Sequence, residues 1–363
     1  MQALLLTLVL GACSQSKAEQ AGSQPDVRRA VEELAVSLPR QHAYGGVVWN
    51  AKEHEAYLFG GGSGEYARQS GKGGESRFQS LADILRFTAQ SLTVGRFRSR
   101  FPGRGLAFKV YQGAANCAAW DEGSQIAYIF GGAESESTIR RFDPAADKLQ
   151  ALPTKLPCEI VGGCAVWRTR ASSALILGGQ SALHLGPSHF TLAGQWRIGR
   201  RWYYAHVLAF SPAAASVAVV GSLPCPRYRV AAAYAPDSDV AYVIGGLVID
   251  QNREVPTDTV CTYEAGSGTA VLWSGHLPQP LCDAAAVWDS RNRVVWVIGG
   301  RAGNKGKGVD TILKLDPANG TVSDSGWKLP RPSMHVAAVM DPDAGTIWIF
   351  AGKSILRFTP PVA

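Results

Sequence analysis

The side chains best suited to chemistry in this sequence are arginines that follow Leu-Pro pairs. Arg227 and Arg229 follow one such pair, Arg331 follows another, and His335 comes shortly after Arg331. Convergent guanidinium groups match the forked geometry of carboxylates and phosphates. Histidine titrates near neutral pH and transfers protons readily. These residue types predict recognition of an anion, with acid–base catalysis as the alternative chemistry.

We predict two sets of functional side chains from these patterns. The ligand-binding set is Arg40, Arg104, Arg227, Arg229, Arg331, Trp202, Tyr203 and Tyr228. The catalytic candidates, should the protein be an enzyme, are His335, His42 and Glu159. Aromatic side chains near the arginines can stack on a sugar ring or an apolar group. A single arginine after Leu-Pro can instead brace its loop, so the prediction rests on the cluster.

The sequence predicts no metal site and no cofactor. Its histidines are scattered and no Cys-x-x-Cys pair occurs, so the spacing of a zinc site is missing. No Gly-x-Ser-x-Gly elbow or phosphate loop occurs either. The basic run at residues 95–101 alternates arginine with phenylalanine or serine, which predicts a strand rather than a nucleic-acid site.

The element that must position these residues is a short apolar strand that ends in two glycines. The doublets are Gly60-Gly61, Gly131-Gly132, Gly178-Gly179, Gly245-Gly246 and Gly299-Gly300, with a sixth copy at Ala351-Gly352. The intervals between successive doublets lie on both sides of about 50 residues, the period of such a repeat. We interpret the two longest intervals as repeats that contain insertions. Runs of small residues precede most doublets, and we interpret these runs as strands crowded around a central axis.

Each repeat predicts four antiparallel strands. Turn residues separate the small-residue strand, the diglycine strand, a third strand and a fourth strand that ends at Leu-Pro. After the sixth doublet the chain has room for a third strand only, whereas residues 30–40 have the pattern of a fourth strand. We therefore predict that this N-terminal strand pairs with the last repeat and removes an open edge.

The diglycine strands, the turn Phe142-Asp143-Pro144 and the exit Leu223-Pro224-Cys225-Pro226-Arg227 resemble the kelch-repeat family. The resemblance covers about residue 30 to the C-terminus and implies an all-β, six-bladed kelch β-propeller closed by an N-terminal strand. It implies little about activity, because one propeller hosts enzymes, adaptors and binding modules. In blade number, export and arginine-lined channel mouth, the chain is similar to kelch N-acetylneuraminate epimerases, which act on an acidic sugar.

The N-terminus has the features of an export signal. An apolar run of about ten residues is too short to span a bilayer and fits a signal-peptide core. Leu10-Gly11-Ala12-Cys13 resembles a bacterial lipobox, which would make Cys13 the lipidated N-terminus, although no lysine or arginine precedes the run. We predict a signal at residues 1–13, a polar tether at 14–29 and the propeller at 30–363. The expected location is extracytoplasmic, as a cell-envelope lipoprotein or a secreted protein.

Six further cysteines leave the redox state of the domain open. They are Cys117, Cys158, Cys164, Cys225, Cys261 and Cys282. An even number permits disulfides in an oxidising compartment. The alternative is a set of buried free thiols that act as small core residues.

Charge and loop positions together predict the kind of partner. The chain has 36 Lys plus Arg against 29 Asp plus Glu. Much of the surplus falls in loops that a propeller brings to one side, here called the basic rim, which includes Arg40, Arg104, Arg227, Arg229 and Arg331. A basic rim focuses its field on an anion. We predict a monomeric binding module for an acidic glycan, an acidic peptide or a protein partner, tethered to a membrane if Cys13 is lipidated, with no nucleic acid. The alternative is a carbohydrate-active enzyme of the sialate epimerase (mutarotase) type.

Overall fold

The computed structural model describes residues 29–43, 45–63, 79–101, 117–132, 137–181, 195–198, 201–303 and 306–362. Almost all of them lie in β-strands and short turns, so the all-β fold predicted from the sequence is confirmed. The described residues include a short 3-10 helix at Thr169–Ala171. Among these residues, no helix has the length and hydropathy that crossing a bilayer requires. The predicted signal and Cys13 lie outside the described residues.

The first half of the chain is a succession of short strands. They are β1 (Arg29–Ala30), β2 (Glu32–His42), β3 (Gly46–Asn50), β4 (Glu55–Phe59), β5 (Gly62–Ser63), β6 (Gln79–Ser80), β7 (Asp83–Thr88), β8 (Thr93–Arg100), β9 (Cys117–Asp121), β10 (Ile126–Phe130), β11 (Thr138–Asp143), β12 (Lys148–Lys155), β13 (Cys164–Arg168), β14 (Ser173–Leu177), β15 (Gln195–Ile198), β16 (Arg201–Tyr204), β17 (His206–Ser211) and β18 (Ser216–Ser222).

The second half continues in the same way. Its strands are β19 (Arg227–Tyr228), β20 (Ala231–Ala235), β21 (Val240–Ile244), β22 (Leu247–Asp250), β23 (Arg253–Pro256), β24 (Thr259–Glu264), β25 (Thr269–His276), β26 (Leu281–Cys282), β27 (Ala285–Asp289), β28 (Val294–Ile298), β29 (Arg301–Ala302), β30 (Val309–Asp316), β31 (Thr321–Ser333), β32 (Ala337–Asp341) and β33 (Thr346–Phe358).

Within the described residues, these strands form six larger sheets, numbered here in chain order. The first five have the strand orders β3-β4-β7-β8, β9-β10-β11-β12, β13-β14-β17-β18, β20-β21-β24-β25 and β27-β28-β30-β31, and the sixth is β32-β33-β2. Consecutive strands in each order pair antiparallel. The short strand β1 adds a parallel edge to β31 of the fifth sheet.

The sixth sheet joins the two ends of the described chain. β2 pairs antiparallel with β33, with Glu32 opposite Arg357 and His42 opposite Gly352. The hydroxyl oxygens of Thr346 and Thr359 lie 3.1 Å apart, whereas an extended strand of this length would span about 40 Å. β33 therefore doubles back, and its two arms, β32 and β2 give this sheet four strand segments.

The diglycine doublets of the second to fifth sheets hydrogen-bond to the chain segment that leads to the following sheet. At Gly245 the φ angle is +58° and a Cβ would lie 2.2 Å from the carbonyl oxygen of Leu281 in the following connection. The N–H of Gly246 donates to that same oxygen at 2.8 Å. Only glycine allows both the left-handed backbone and the close approach. The doublet is thus a point of backbone contact between sheets as well as the end of a strand.

The hydrophobic core lies between neighbouring sheets. Tyr57 and Phe59 of the first sheet pack with Trp120 and Phe142 of the second in one buried cluster. The rings of Phe59 and Phe142 meet edge to face with centroids 5.6 Å apart, a geometry that adds about 0.5–1.5 kcal/mol to burial. The sixth and first sheets share a similar cluster that includes Leu38, so both faces of the sheets are covered.

The first strands of the six sheets are neighbours of one another. β3 contacts β9 and β32, and the remaining contacts run from β9 to β13, β13 to β20, β20 to β27 and β27 to β32. The small residues of these strands, such as those of β20 and β27, therefore face a shared central space. The functional groups described below lie at one end of that space.

Candidate functional site

A cavity of about 220 Å³ lies where the six first strands meet. Its wall is made largely of small and backbone groups from those strands, including Ala118, Ala165 and Ala285. Larger polar side chains of the described residues join this wall, from His42, Gln180, Tyr228, Arg229, Asp283 and His335. A largely apolar wall with a few convergent polar groups is the usual composition of a small-molecule site.

A repeated backbone conformation places three of these polar residues. Arg229, Asp283 and His335 each stand just before a first strand with φ between +54° and +57°, as Gly162 does at +66°. The N–H of Arg229 donates to Gly162 O, that of Asp283 to Arg229 O, and that of His335 to Asp283 O, at 2.7–3.1 Å. Left-handed backbone is costly for residues other than glycine and concentrates at functional sites. We call these four residues the left-handed row.

Asp283 is the electrostatic centre of the site. Its buried carboxylate lies 3.3 Å from Arg229 Nη1 and 3.4 Å from Arg301 Nη2, while His335 Nδ1 lies 3.5 Å away. Burial opposes ionisation of Asp283, but Arg229, His335 and Arg301 outweigh it and hold the pKa of this carboxyl well below its usual range. Asp283 is therefore an anion at neutral pH, fixed between two cations and an imidazole.

His42 and Gln180 contribute buried polar atoms with unmet hydrogen-bonding capacity. Both side chains are more than nine-tenths buried, and His42 Nε2 and Gln180 Oε1 have no hydrogen-bond partner among the residues that the structure describes. Burial lowers the pKa of His42 to about 4, against the opposing effect of a hydrogen bond with the backbone of Gly60. At neutral pH the imidazole is uncharged. Both side chains line the cavity.

Two members of the predicted ligand-binding set are packed inside the protein. Arg227 is fully buried and donates to Cys225 Sγ at 3.2 Å and Thr259 Oγ1 at 3.3 Å. Tyr203 is buried, and its hydroxyl donates to Glu254 at 2.6 Å. Through these contacts the two side chains stabilise the connection between the third and fourth sheets.

Tyr228 and Arg229 lie next to each other at the cavity. Tyr228 is buried, lines the cavity and stacks under Arg229, whose guanidinium carbon lies 5.9 Å from the ring centroid. Burial raises the pKa of the Tyr228 phenol, so it stays protonated. Of the predicted arginines that are described, Arg229 is the one that lines the cavity.

The remaining predicted residues are dispersed. Arg40 is exposed on β2, and Arg331 is exposed and hydrogen-bonds Glu33 and, at 3.2 Å, Ser354 Oγ. Trp202 is partly buried against the core between the second and third sheets. Glu159 is half-buried and is absent from the described cavity wall, whereas the other catalytic candidates, His42 and His335, are part of it. Arg104 lies outside the described residues.

Sequence reasoning missed Asp283 and Gln180. Asp283 occupies the same place in its repeat as Arg229 and His335, just before a run of small residues. Aligning the repeats on that place, rather than on the Leu-Pro exits, would have found it. Gln180 follows the doublet Gly178-Gly179 directly, and its backbone pairs with Val161. No composition or charge signal distinguished it.

A second cluster of ligating atoms lies at the other ends of the strands. One ligand atom each from His54, Asp341 and Asp343 fall within 4.8 Å of one another. Asp341 Oδ1 already accepts the backbone N–H groups of Asp343 and Ala344 at 3.2 Å, and its Oδ2 lies 3.3 Å from His54 Nδ1. Asp341 therefore serves to close the turn between β32 and β33.

The six cysteines of the described chain are free thiols. Cys117 and Cys164 line the cavity, and Cys164 Sγ lies 2.7 Å from Val230 O. Burial raises the pKa of Cys164 to about 12 and that of Cys282 to about 11. Protonated, buried thiols behave as small apolar residues.

No protein-family model matches the sequence, and no curated protein matches it. The functional assignment therefore depends on the geometry of the cavity and on the repeats.

Proposed function

We propose that the chain is a six-bladed propeller of the kelch type whose axial cavity binds a small acidic ligand. The repeated diglycine strands, the six sheets in chain order and the contacts between successive first strands support the fold assignment. The pairing of β2 with β33 is the arrangement expected for closure by an N-terminal strand.

The observation that carries the ligand proposal is the position of Arg229 and His335 on the cavity wall beside ionised Asp283. Two guanidinium groups face one carboxylate here, so the cluster has a surplus positive charge that an acidic ligand would balance. Because Asp283 holds both Arg229 and His335, their donors are oriented before the ligand arrives, which lowers the entropic cost of binding.

The size of the cavity favours a small molecule over a peptide or protein partner. At about 220 Å³ it is smaller than most drug-sized pockets, which measure roughly 300–1,000 Å³. Of the partners expected from sequence, a glycan monomer fits this volume. The exposed arginines of the basic rim, such as Arg40, would then act in steering the anion rather than in holding it.

The test is the thermal stability of the purified protein with acidic sugars, neutral sugars and acidic peptides. A ligand at 100 times its dissociation constant stabilises the folded state by about 2.7 kcal/mol. We expect acidic sugars to stabilise the protein and Arg229→Ala to abolish the effect, whereas Arg98→Ala, an exposed arginine on β8, retains it. Stabilisation lost in Arg40→Ala or Arg331→Ala but kept in Arg229→Ala would place the ligand on the outer rim instead.

A second candidate function is epimerisation of an acidic sugar. Two imidazoles, His42 and His335, line the same cavity, and His335 has a carboxylate beside its Nδ1, as a general base often does. The rate at which the two anomers of the sugar interconvert, followed by NMR, would test it. Loss of turnover in His335→Gln with unchanged binding supports an enzyme, whereas equal loss of both supports simple recognition.

We further propose that the protein is exported and, if Cys13 is lipidated, tethered to a membrane. The support is the apolar run that ends at Leu10-Gly11-Ala12-Cys13. In a bacterial host, Cys13→Ser should move the protein from the membrane fraction to the soluble fraction. Unchanged partition of the variant would favour a secreted or differently anchored protein.

A further inference from the structure

The cavity wall has two polar parts of different chemistry. One part is the cationic cluster of Arg229 and His335 held by Asp283. The other part consists of His42 and Gln180, whose buried atoms Nε2 and Oε1 have no hydrogen-bond partner within the described protein. We call this second part the acceptor patch.

Both atoms of the acceptor patch are acceptors. The backbone N–H of Gly60 donates to Asp83 O, so its carbonyl is the group left to interact with the imidazole of His42. A carbonyl accepts only, and Nε2 is the buried ring nitrogen that lacks a partner among the described residues, so we assign the imidazole proton to Nδ1 and a lone pair to Nε2. Gln180 Oε1 is an amide oxygen and accepts as well.

The surroundings hold the ring of His42 and the backbone of Gln180 in place. His42 is closely flanked by glycines, since a Cβ on Gly45 or Gly61 would lie within 3.1 Å of its ring atoms. The backbone of Gln180 exchanges hydrogen bonds with Val161 at 2.9 and 3.0 Å. An unpaired buried acceptor destabilises the folded protein, and such a cost is expected where a ligand supplies the missing donor.

We propose that the acceptor patch of His42 and Gln180 binds hydroxyl groups, so that the ligand is a small hydroxylated carboxylic acid rather than a plain carboxylate or an inorganic anion. This inference rests on the proposed function, because it places the carboxylate of the ligand at Arg229 and its hydroxyl groups at His42 and Gln180. A site built to hydrogen-bond a ligand hydroxyl rejects the analogue that lacks it, since its own buried groups then stay unpaired.

Three six-carbon probes separate the two parts of the site. Gluconate carries a carboxylate and hydroxyls, hexanoate carries the carboxylate alone, and sorbitol carries hydroxyls alone. We expect calorimetry on the full-length protein to show gluconate binding at least about tenfold more tightly than hexanoate, with sorbitol weaker than gluconate. Equal affinity for gluconate and hexanoate would overturn the acceptor patch and leave the acid-binding function standing. Failure of every acid to bind would overturn the proposed function, and this inference with it.

Single substitutions test whether Gln180 is the side chain that distinguishes gluconate from hexanoate. Gln180→Met keeps a side chain of similar length and removes the amide, so gluconate should lose about tenfold in affinity while hexanoate stays within twofold. Gln150→Met, at an exposed position of β12, is the matched control and should change neither. A gluconate preference that survives intact in Gln180→Met would overturn the assignment. The probe comparison itself needs no variant, so a folding defect at position 180 leaves the inference testable.

Discussion

At the scale of single residues, two arginines that are close in the sequence differ in whether they reach the cavity. Arg227 and Arg229 are two residues apart, a spacing that would place both on one face of an extended strand. Arg229 instead lies beyond β19 with φ +54°, and it lines the cavity while Arg227 is buried against Thr259. The sequence identified both as arginines near a channel mouth. It could not separate them, because residue type does not show where the extended backbone ends and the left-handed conformation of Arg229 begins.

Replacing Asp283 tests the electrostatic centre. In Asp283→Asn the cations Arg229 and Arg301 lose their carboxylate, and we expect a loss of about 3 kcal/mol of unfolding free energy at pH 7. Urea denaturation measures this loss of unfolding free energy. Asp250→Asn, an exposed carboxyl at the end of β22, serves as the control and should change stability by less than about 0.5 kcal/mol.

The same variant makes a pH prediction. The folded-state pKa of Asp283 is depressed, so its stabilising effect is present above the unfolded pKa of about 4 and is lost as pH falls toward the folded value. The stability difference between wild type and Asp283→Asn should therefore be larger at pH 7 than at pH 3. A difference that grows on acidification would contradict the assignment of Asp283 as an anion.

Replacing Arg227 tests its bracing role. Arg227→Lys retains the charge but loses the fork that reaches Cys225 and Thr259. We expect a loss of about 2 kcal/mol from buried groups left without partners, measured by urea denaturation. Affinity for gluconate should stay within about threefold, because Arg229 and His335 hold the acid. A large loss of affinity in a stable variant would return Arg227 to the binding set.

At the scale of elements, the diglycine strand is the feature that the sequence predicted best. Its copies, spacing and small-residue partners all correspond to the strands observed, because hydrophobic alternation and glycine punctuation are local signals. The cavity could not be predicted in the same way. Its polar groups come from connections of different sheets, and only the packing of those sheets brings Gln180 and Asp283 to one wall.

Two glycine substitutions separate backbone strain from close approach. Gly245→Ala must adopt φ near +58° and places a methyl group 2.2 Å from Leu281 O, whereas Gly303→Ala has φ +69° with nothing within 4 Å. We expect Gly303→Ala to cost about 1–2 kcal/mol from strain alone and Gly245→Ala to cost at least twice as much. Thermal unfolding of the two variants provides the comparison, and equal costs would mean that Gly245 does not hold two sheets together.

At the scale of the whole molecule, the pairing of β2 with β33 makes the two ends of the chain depend on each other. Leu38 of β2 is buried with Trp49 of the first sheet and Trp348 of the sixth. Comparable clusters lie between the other neighbouring sheets, so the described sheets share their cores. Unfolding should therefore be a single transition even in a chain of 363 residues.

Leu38→Ala tests this dependence. Truncating a fully buried leucine costs about 2–5 kcal/mol, and we expect the whole unfolding curve to shift without a second transition. Leu92→Ala, in the exposed turn before β8, is the control and should leave the midpoint nearly unchanged. Tryptophan fluorescence and far-UV circular dichroism should report the same midpoint. Separate transitions would mean that the sixth sheet unfolds independently.

The left-handed row also combines a repeated backbone arrangement with side chains that differ from one position to the next. Its backbone hydrogen bonds repeat from sheet to sheet, yet the side chains at its four places are those of glycine, arginine, aspartate and histidine. Main-chain atoms form the contacts between these positions, so a substitution in the row changes the groups that face the cavity while the backbone contacts between sheets remain. The scaffold could therefore be redesigned for another ligand at these positions, provided that the charges around Asp283 stay balanced.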